Sequence, residues 1–396
     1  MKPPPRIAES LRRKMTAWRR DFHRHPEIEF AVERTAGAVE SILQKCGANP
    51  RRVAGVGVVG ILRRGEGKNI IGLRAELDAL PIAEESQVRH RSVHKGKMHA
   101  CGHDGHTAML LGAAHQLAAD GKFDGAVVFI FQPDEENGHG AAAMLDDGLL
   151  QKFPMKRIFG MHNLPSLPVG HFASRVGPIM AGEDHFKIVI TGRGGHAALP
   201  HLCTDALVAG AELVGALQTV VSRTINPALG GVVSVTGFQT NGAQNVIPGL
   251  VIISGDARAY SDATRKTIKR AMQTIARGIC NAHRVSLSEF HYENCFSVTT
   301  NTDLETRSAL ATAREVVGKN SVQSDYPGMM FSEDFGHMLN AKPGCFIFIG
   351  NGKDSAPLHS PRFDFNDDIL ATGAAYWTRL VERELSPMRN DGAGAE

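Results

Sequence analysis

The sequence predicts an α/β protein, a mixed sheet sandwiched by helices, interrupted by a smaller ferredoxin-like α+β domain. Three observations lead there. Short apolar runs alternate with helix-like stretches from 69 to 182, the rhythm of a parallel-containing sheet covered on both faces. Between 183 and 295 the texture changes to strand patterns around two long helices. The chain has 396 residues, and single cores stop growing at roughly 250–300. The predicted division is 1–182 and 296–396 for the larger domain, with 183–295 inserted between them.

Within the larger domain, NIIGLRAEL (69–77) reads as a buried strand and TAMLLGAAHQLAA (107–119) as a helix. AVVFIF (126–131) is a second strand, AAAMLDDGLL (141–150) is helical and RIFGM (157–161) is a third strand. The insert reads strand (185–192), helix (205–224), strands (232–241 and 251–260), helix (263–283) and strand (284–293), the split β-α-β order. A helix at 303–318, the strand CFIFIG (345–350) and a helix from Asp367 complete the chain. The proline-rich start and the RNDGAGAE tail are expected to fray.

Composition narrows the class. Lys+Arg 44 against Asp+Glu 41 is too balanced for a nucleic-acid or polybasic membrane surface. No apolar run approaches the roughly 20 residues that span a bilayer, and the start lacks the apolar core of a signal peptide, so the expected home is cytoplasmic. The 6 cysteines show no disulfide-framework spacing and are expected as free thiols.

AVVFIFQPDEENGHG (126–140) puts Glu135 and Glu136 side by side at a strand mouth, where like charges repel and desolvation is costly. Other polar groups fall at equivalent places: Asp78 after Leu77, His162 after RIFGM, His359 after CFIFIG. Cys101 and His103, in HACGHDGH, precede the helix at 107. Taken singly, Cys101 could be a small hydrophobe, His162 a core histidine, His359 a loop residue and the glutamates a solvated turn. Together they bring thiolate, imidazole and carboxylate to the carboxyl end of one sheet, where open α/β sheets bind ligands, and that set is metal-ligand chemistry.

HACGHDGHTAMLLGAA, FQPDEENGHGAAAML, GMHNLP, GRGGHAALPH, NVIP, SEDF and LHSPRFDFND resemble, in order and spacing, the motifs of the M20 metallopeptidases. The similarity is to the amidohydrolase branch of hippurate hydrolases, N-acyl-amino-acid amidohydrolases and auxin-conjugate hydrolases. WRRDFHRHPEIEF (18–30) fits the same branch, and the resemblance runs from about 10 to 383.

The resemblance implies two divalent metals (zinc, manganese, cobalt or nickel) held by Cys101, His103, Glu136, His162 and His359, with Asp78 orienting a ligand. Glu135 is then the general base, which divides the labour of the adjacent glutamates: one binds metal, the other moves a proton. From the insert, a lid and dimerisation domain in the family, His196 is implied as the oxyanion donor and Asn245 and Arg258 as substrate groups. A structural salt bridge is the competing expectation for Arg258. The chain departs from the family pattern at Glu76-Leu77-Asp78, where Asp-X-Asp is usual, at DARAY, and at NGHG, where His139 adds an imidazole near the mouth. The implied reaction is amide hydrolysis of small N-acyl amino acids by a homodimer or homotetramer. A dipeptidase or carboxypeptidase, an aryl-amide hydrolase and a non-catalytic metal-binding scaffold are the rivals.

Overall fold

The computed structural model describes residues 5–386; the RNDGAGAE tail and all but the last proline of the start lie outside them. Two compact units separate. The larger takes residues up to Ile179, Thr300–Pro327 and those from His337 on, and the smaller takes Met180–Thr299 and Gly328–Gly336.

The larger unit is built on an 8-stranded mixed sheet. Its central strands, Gly125–Gln132, Ile70–Glu76, Arg157–Pro165 and Gly344–Gly352, run parallel. Gly57–Arg64 adds an antiparallel neighbour beside Gly125–Gln132. The central strands are buried almost throughout, which explains their unbroken apolar sequences. Helices Glu9–Arg24, His103–Asp120 and Leu370–Glu384 supply Met15, Met109, Leu110, Leu117, Tyr376 and Trp377 to a core shared with Leu73, Phe129, Phe159 and Ile347. Each such side chain fully buried contributes ~1.5–3 kcal/mol. The helix expected from 107 begins at His103, and the helix expected at 141–150 is two pieces, broken at Gly148 with φ 82°. Glu9–Arg24 and Glu33–Lys45 have no counterpart in the sequence reading.

The smaller unit has a 4-stranded antiparallel sheet ordered Val232–Thr240, Leu250–Ala259, Gly182–Thr191, Ser286–Phe296. Helices Ala206–Thr219 and Asp262–Ala282 bury Leu213, Leu217, Ile268 and Met272 against Phe186, Ile188, Ile190 and Ile253. With its π-helical continuation, the first of these spans Ala206–Thr224, 19 residues long and apolar enough to cross a membrane by length and composition alone. Its inward stripe packs on the sheet, so it is a third buried. Residues 328–336, expected in the larger domain, belong here because backbone and side chains tie them in. The Ala181 N–H donates to the carbonyls of Met329 and Phe331, and Thr299 Oγ1 donates to the Glu333 carbonyl.

Candidate metal centre and active site

The parallel strands aim their carboxyl ends one way, and the chemistry-bearing residues gather there. Asp78 lies just past Ile70–Glu76, and Glu135 and Glu136 just past Gly125–Gln132. His162, expected after its strand, is inside it, because the ladder with Gly344–Gly352 continues to Pro165. Cys101 and His103 flank Gly102, whose φ is 98° and where a Cβ would stand 2.1 Å from Asn163 Oδ1; only glycine allows that turn so close to the strand. His359 adopts a φ of 63°, a conformation that costs a non-glycine about 1–3 kcal/mol and survives where surroundings fix it. Its N–H donates to the Ala100 carbonyl at 2.8 Å.

All five expected ligands meet. Ligand atoms of Cys101, His103 and His162 lie within 4.8 Å of one another, as do those of Cys101, Glu136 and His359, and those of His103, Glu135 and Glu136. Cys101 Sγ is 3.3 Å from His162 Nε2, and His359 Nε2 is 3.3 Å from Glu136 Oε2. His103 Nε2 and Glu136 Oε1 are both buried without a hydrogen-bond partner among the described residues, 3.9 Å apart. That gap is too long for a hydrogen bond but suits two donors sharing one cation at about 2.0–2.2 Å each. Buried polar atoms are seldom left unsatisfied, so the donor set fits a divalent metal.

Electrostatics agrees. Burial alone lowers the pKa of His103, but hydrogen bonding to Asp78 and the charges of Asp78, Glu76 and Glu136 push it up to about 10; the same field attracts a metal cation. His162 is held well below its ordinary value by burial and by His106 and His103, so its imidazole is neutral and its Nε2 lone pair available. The Nδ1 of each ring donates to a backbone carbonyl, Asp78 O at 2.8 Å and Asn163 O at 2.7 Å, which turns Nε2 inward. Asp78 Oδ2 accepts the Glu136 N–H at 3.1 Å, so Asp78 braces two candidate ligands at once.

The sequence reading passed over the polar residues beneath. His106 Nδ1 is 2.7 Å from Glu76 Oε2, and Glu76 also pairs with Arg74. Glu76, His103 and His106 form another close triad, but its Glu76 and His106 already have these internal partners. Burial raises the Glu76 pKa, yet Arg74 and His106 outweigh it and hold the carboxyl far below the usual range. A signal existed: once the helix starts at 103, His103 and His106 are one turn apart on one face, and Arg74 and Glu76 alternate onto one face of their strand. Further out, Arg19 and His23 reach Asp104 at 3.0 and 2.9 Å. His139 faces Asp134 Oδ2 at 3.1 Å with its ring largely exposed.

In the smaller unit His196 and Asn245 share one ribbon. Gly195–His196 pairs with Val246–Ile247, and the Ala197 N–H donates to the Asn245 carbonyl at 3.0 Å. His196 Nδ1 accepts the Ala198 N–H at 3.1 Å, leaving Nε2 as the ring's donor. Both side chains are exposed. Arg258, expected to clamp a substrate, is engaged by Glu183 at 2.9 Å, Asp256 at 2.8 Å and the Met330 carbonyl at 3.0 Å.

A mixed α/β sheet with thiolate, imidazole and carboxylate gathered at its carboxyl edge defines the class, a hydrolase that works with divalent metal. The chain belongs to peptidase family M20/M25/M40, whose model matches residues 72–383, and it is an enzyme of the amidohydrolase branch, acting on amide bonds. It is 37% identical over 368 residues to the hippurate hydrolase of Campylobacter jejuni subsp. jejuni serotype O:2, covering 93% of this chain and 95% of that one. IAA-amino acid hydrolase ILR1-like 4 of Arabidopsis thaliana is 36% identical, with 95% and 86% covered. Among solved structures, the YXEP protein of Bacillus subtilis, described as a dinuclear metal binding peptidase from the M20 family, superposes with a TM-score of 0.82. It is 30% identical, covering 96% of this chain and 99% of that one.

Proposed function

We propose that the protein hydrolyses the amide bond of N-acyl amino acids, hippurate-like or N-acetyl, releasing a carboxylic acid and a free amino acid. The observation that carries this reading is the convergence of Cys101, His103, Glu136, His162 and His359 around buried atoms that lack partners. Those residues would hold two divalent cations, which when bound supply Lewis acidity toward the carbonyl oxygen and acidify water. Glu135 takes a proton from the attacking water and delivers it to the leaving nitrogen. Asp78 fixes the direction of His103 and the position of the Glu136 backbone. His196, with Nε2 as donor, stabilises the developing oxyanion, and Asn245 on the same ribbon contacts substrate. The smaller unit serves as lid and dimerisation domain of a cytoplasmic homodimer or homotetramer.

The ACGHDGH ligand form and the resemblance to hippurate and IAA-amino acid hydrolases favour N-acyl amino acids over dipeptides. Hippurate, N-acetyl-methionine, an indole-acetyl amino acid, a plain dipeptide and an aryl amide are assayed side by side with metal analysis. Glu135→Gln is expected to keep its metals and lose about 10²–10⁴-fold in kcat. Unchanged turnover in that variant would falsify the assigned base, and a preference for the dipeptide would replace the substrate class.

A further inference from the structure

His106 has no part in the chemistry above, yet it occupies the best-connected position beneath the ligands. It is 2% exposed, one turn along the helix from His103. Its Nδ1 meets Glu76 Oε2 at 2.7 Å, and its Nε2 lies 2.9 Å from the Asn163 backbone nitrogen and 2.7 Å from Asn163 Oδ1. Asn163 follows His162 and accepts the His162 Nδ1–H on its own carbonyl. The His106 ring also lies edge-on to that of His162, centroids 4.5 Å apart, and the Phe346 ring centroid is 6.5 Å from that of His162.

We infer that His106, anchored by Glu76, is a positioning residue that fixes the orientation of His162 and locks the His103 helix to the His162 strand. The inference rests on the metal-centre reading. A peptide N–H can only donate, so His106 Nε2 accepts and Nδ1 carries the hydrogen that Glu76 receives, provided the Asn163 carboxamide turns its NH2 rather than Oδ1 to the ring. Glu76 is held in turn by Arg74 and by its own carbonyl, which accepts from Thr107 Oγ1 at 2.6 Å. Each link from Arg74 to the His162 peptide is thus a directed hydrogen bond inside the core, where such bonds are strong and leave little angular freedom. Removing the imidazole frees the Asn163 N–H, opens space beside His162 and lets that ring turn its Nε2 away from Cys101. Glu76 is where the chain departs from Asp-X-Asp, and the longer side chain here spans Arg74 and His106 together.

The test uses the full chain freed of metal by chelator dialysis and titrated with cobalt(II), followed by calorimetry and by the thiolate–cobalt charge-transfer absorption that reports Cys101. His106→Ala is expected to bind cobalt about 10–100-fold more weakly, with an altered spectrum. The metal-free variant should keep its native circular dichroism, and His106→Gln, which can again accept from Asn163, should recover part of the affinity. Wild-type affinity and spectrum in His106→Ala overturn the inference, as does a loss of metal-free stability without a change in affinity. If His106→Ala does not fold, Glu76→Gln decides, with a weaker shift in the same direction expected and no shift counting against. A wild-type chain that takes up no cobalt overturns the metal centre itself, an outcome separate from equal binding by both proteins.

Discussion

In the larger unit His103 Nε2 and Glu136 Oε1 are buried with no hydrogen-bond partner among the described residues. In the smaller unit Asp184 is met by both Arg265 and Tyr292, and Arg258 by Glu183, Asp256 and the Met330 carbonyl. The second arrangement sets each of its charges against an opposite one inside the protein. The first gathers acceptors whose cheapest completion is a cation, because an uncompensated buried donor or acceptor costs about 1–3 kcal/mol. Unpaired buried atoms that gather with further metal-ligand groups at one sheet edge point to a function there.

The sharpest way to break that contrast is to remove or supply the cation. Chelation is expected to lower the thermal midpoint and added zinc to restore it. A ligand at a hundred times its Kd stabilises by about 2.7 kcal/mol, and at a thousand times by about 4. Cys101→Ala should lose most of the zinc-dependent rise. A variant whose midpoint climbs with zinc as steeply as the wild type would show that the thiolate is no ligand.

A second contrast lies within the larger unit, where His23 is as well paired as anything in the smaller one. Burial lowers its pKa, but hydrogen bonds to Asp104 at 2.9 Å and Glu84 at 3.2 Å raise it to about 9. A pKa above the unfolded value near 6.5 means the stability His23 contributes is complete below pH about 6.5 and is lost as pH rises through about 9. At about 1.4 kcal/mol per unit this is on the order of 3 kcal/mol. Asp104, held down by Arg19 and His23 against the effect of burial, acts oppositely, its contribution fading as pH falls into the acid range. Thermal midpoints of the metal-free protein between pH 6 and 9.5 should decline in the wild type and less steeply in His23→Gln, where His103, also raised, to about 10, keeps part of the slope; parallel slopes would remove His23 as a cause.

Much of this was legible before any coordinates. Long apolar runs such as AVVFIF identified the central strands, and the polar residues at their ends identified the candidate ligands that the structure brings together, because strand direction and ligand chemistry are both written locally. The buried bracket was not. His106 reads as one more histidine of HACGHDGH until the helix start at His103 places it against Asn163, distant in sequence. Glu9–Arg24 and Glu33–Lys45 have no counterpart in the sequence reading, and the first buries the polar Arg19 and His23 fully, through partners that lie far along the chain. The 328–336 segment went to the wrong domain because its partners, Ala181 and Thr299, lie far away along the chain.

Arg258 offers the smallest effect and the finest distinction. The family pattern suggests a clamp for a substrate carboxylate, yet its Nη2 already lies between Glu183 and Asp256, its Nε donates to Asp256, and its Nη1 reaches Met330 O and Ser332 Oγ. A guanidinium engaged on every edge has its bidentate face occupied. Arg258→Met should therefore release 328–336 and leave two carboxylates facing each other. Partial solvent access limits the loss to about 1–2 kcal/mol. Limited proteolysis should show faster cleavage within 328–336, and the thermal midpoint should fall whether or not substrate is present. An unchanged midpoint with a KM raised only for substrates bearing a free carboxylate would return Arg258 to the substrate. The smaller unit would then hold an ion pair that opens for its ligand, and internal pairing would no longer separate structural groups from functional ones.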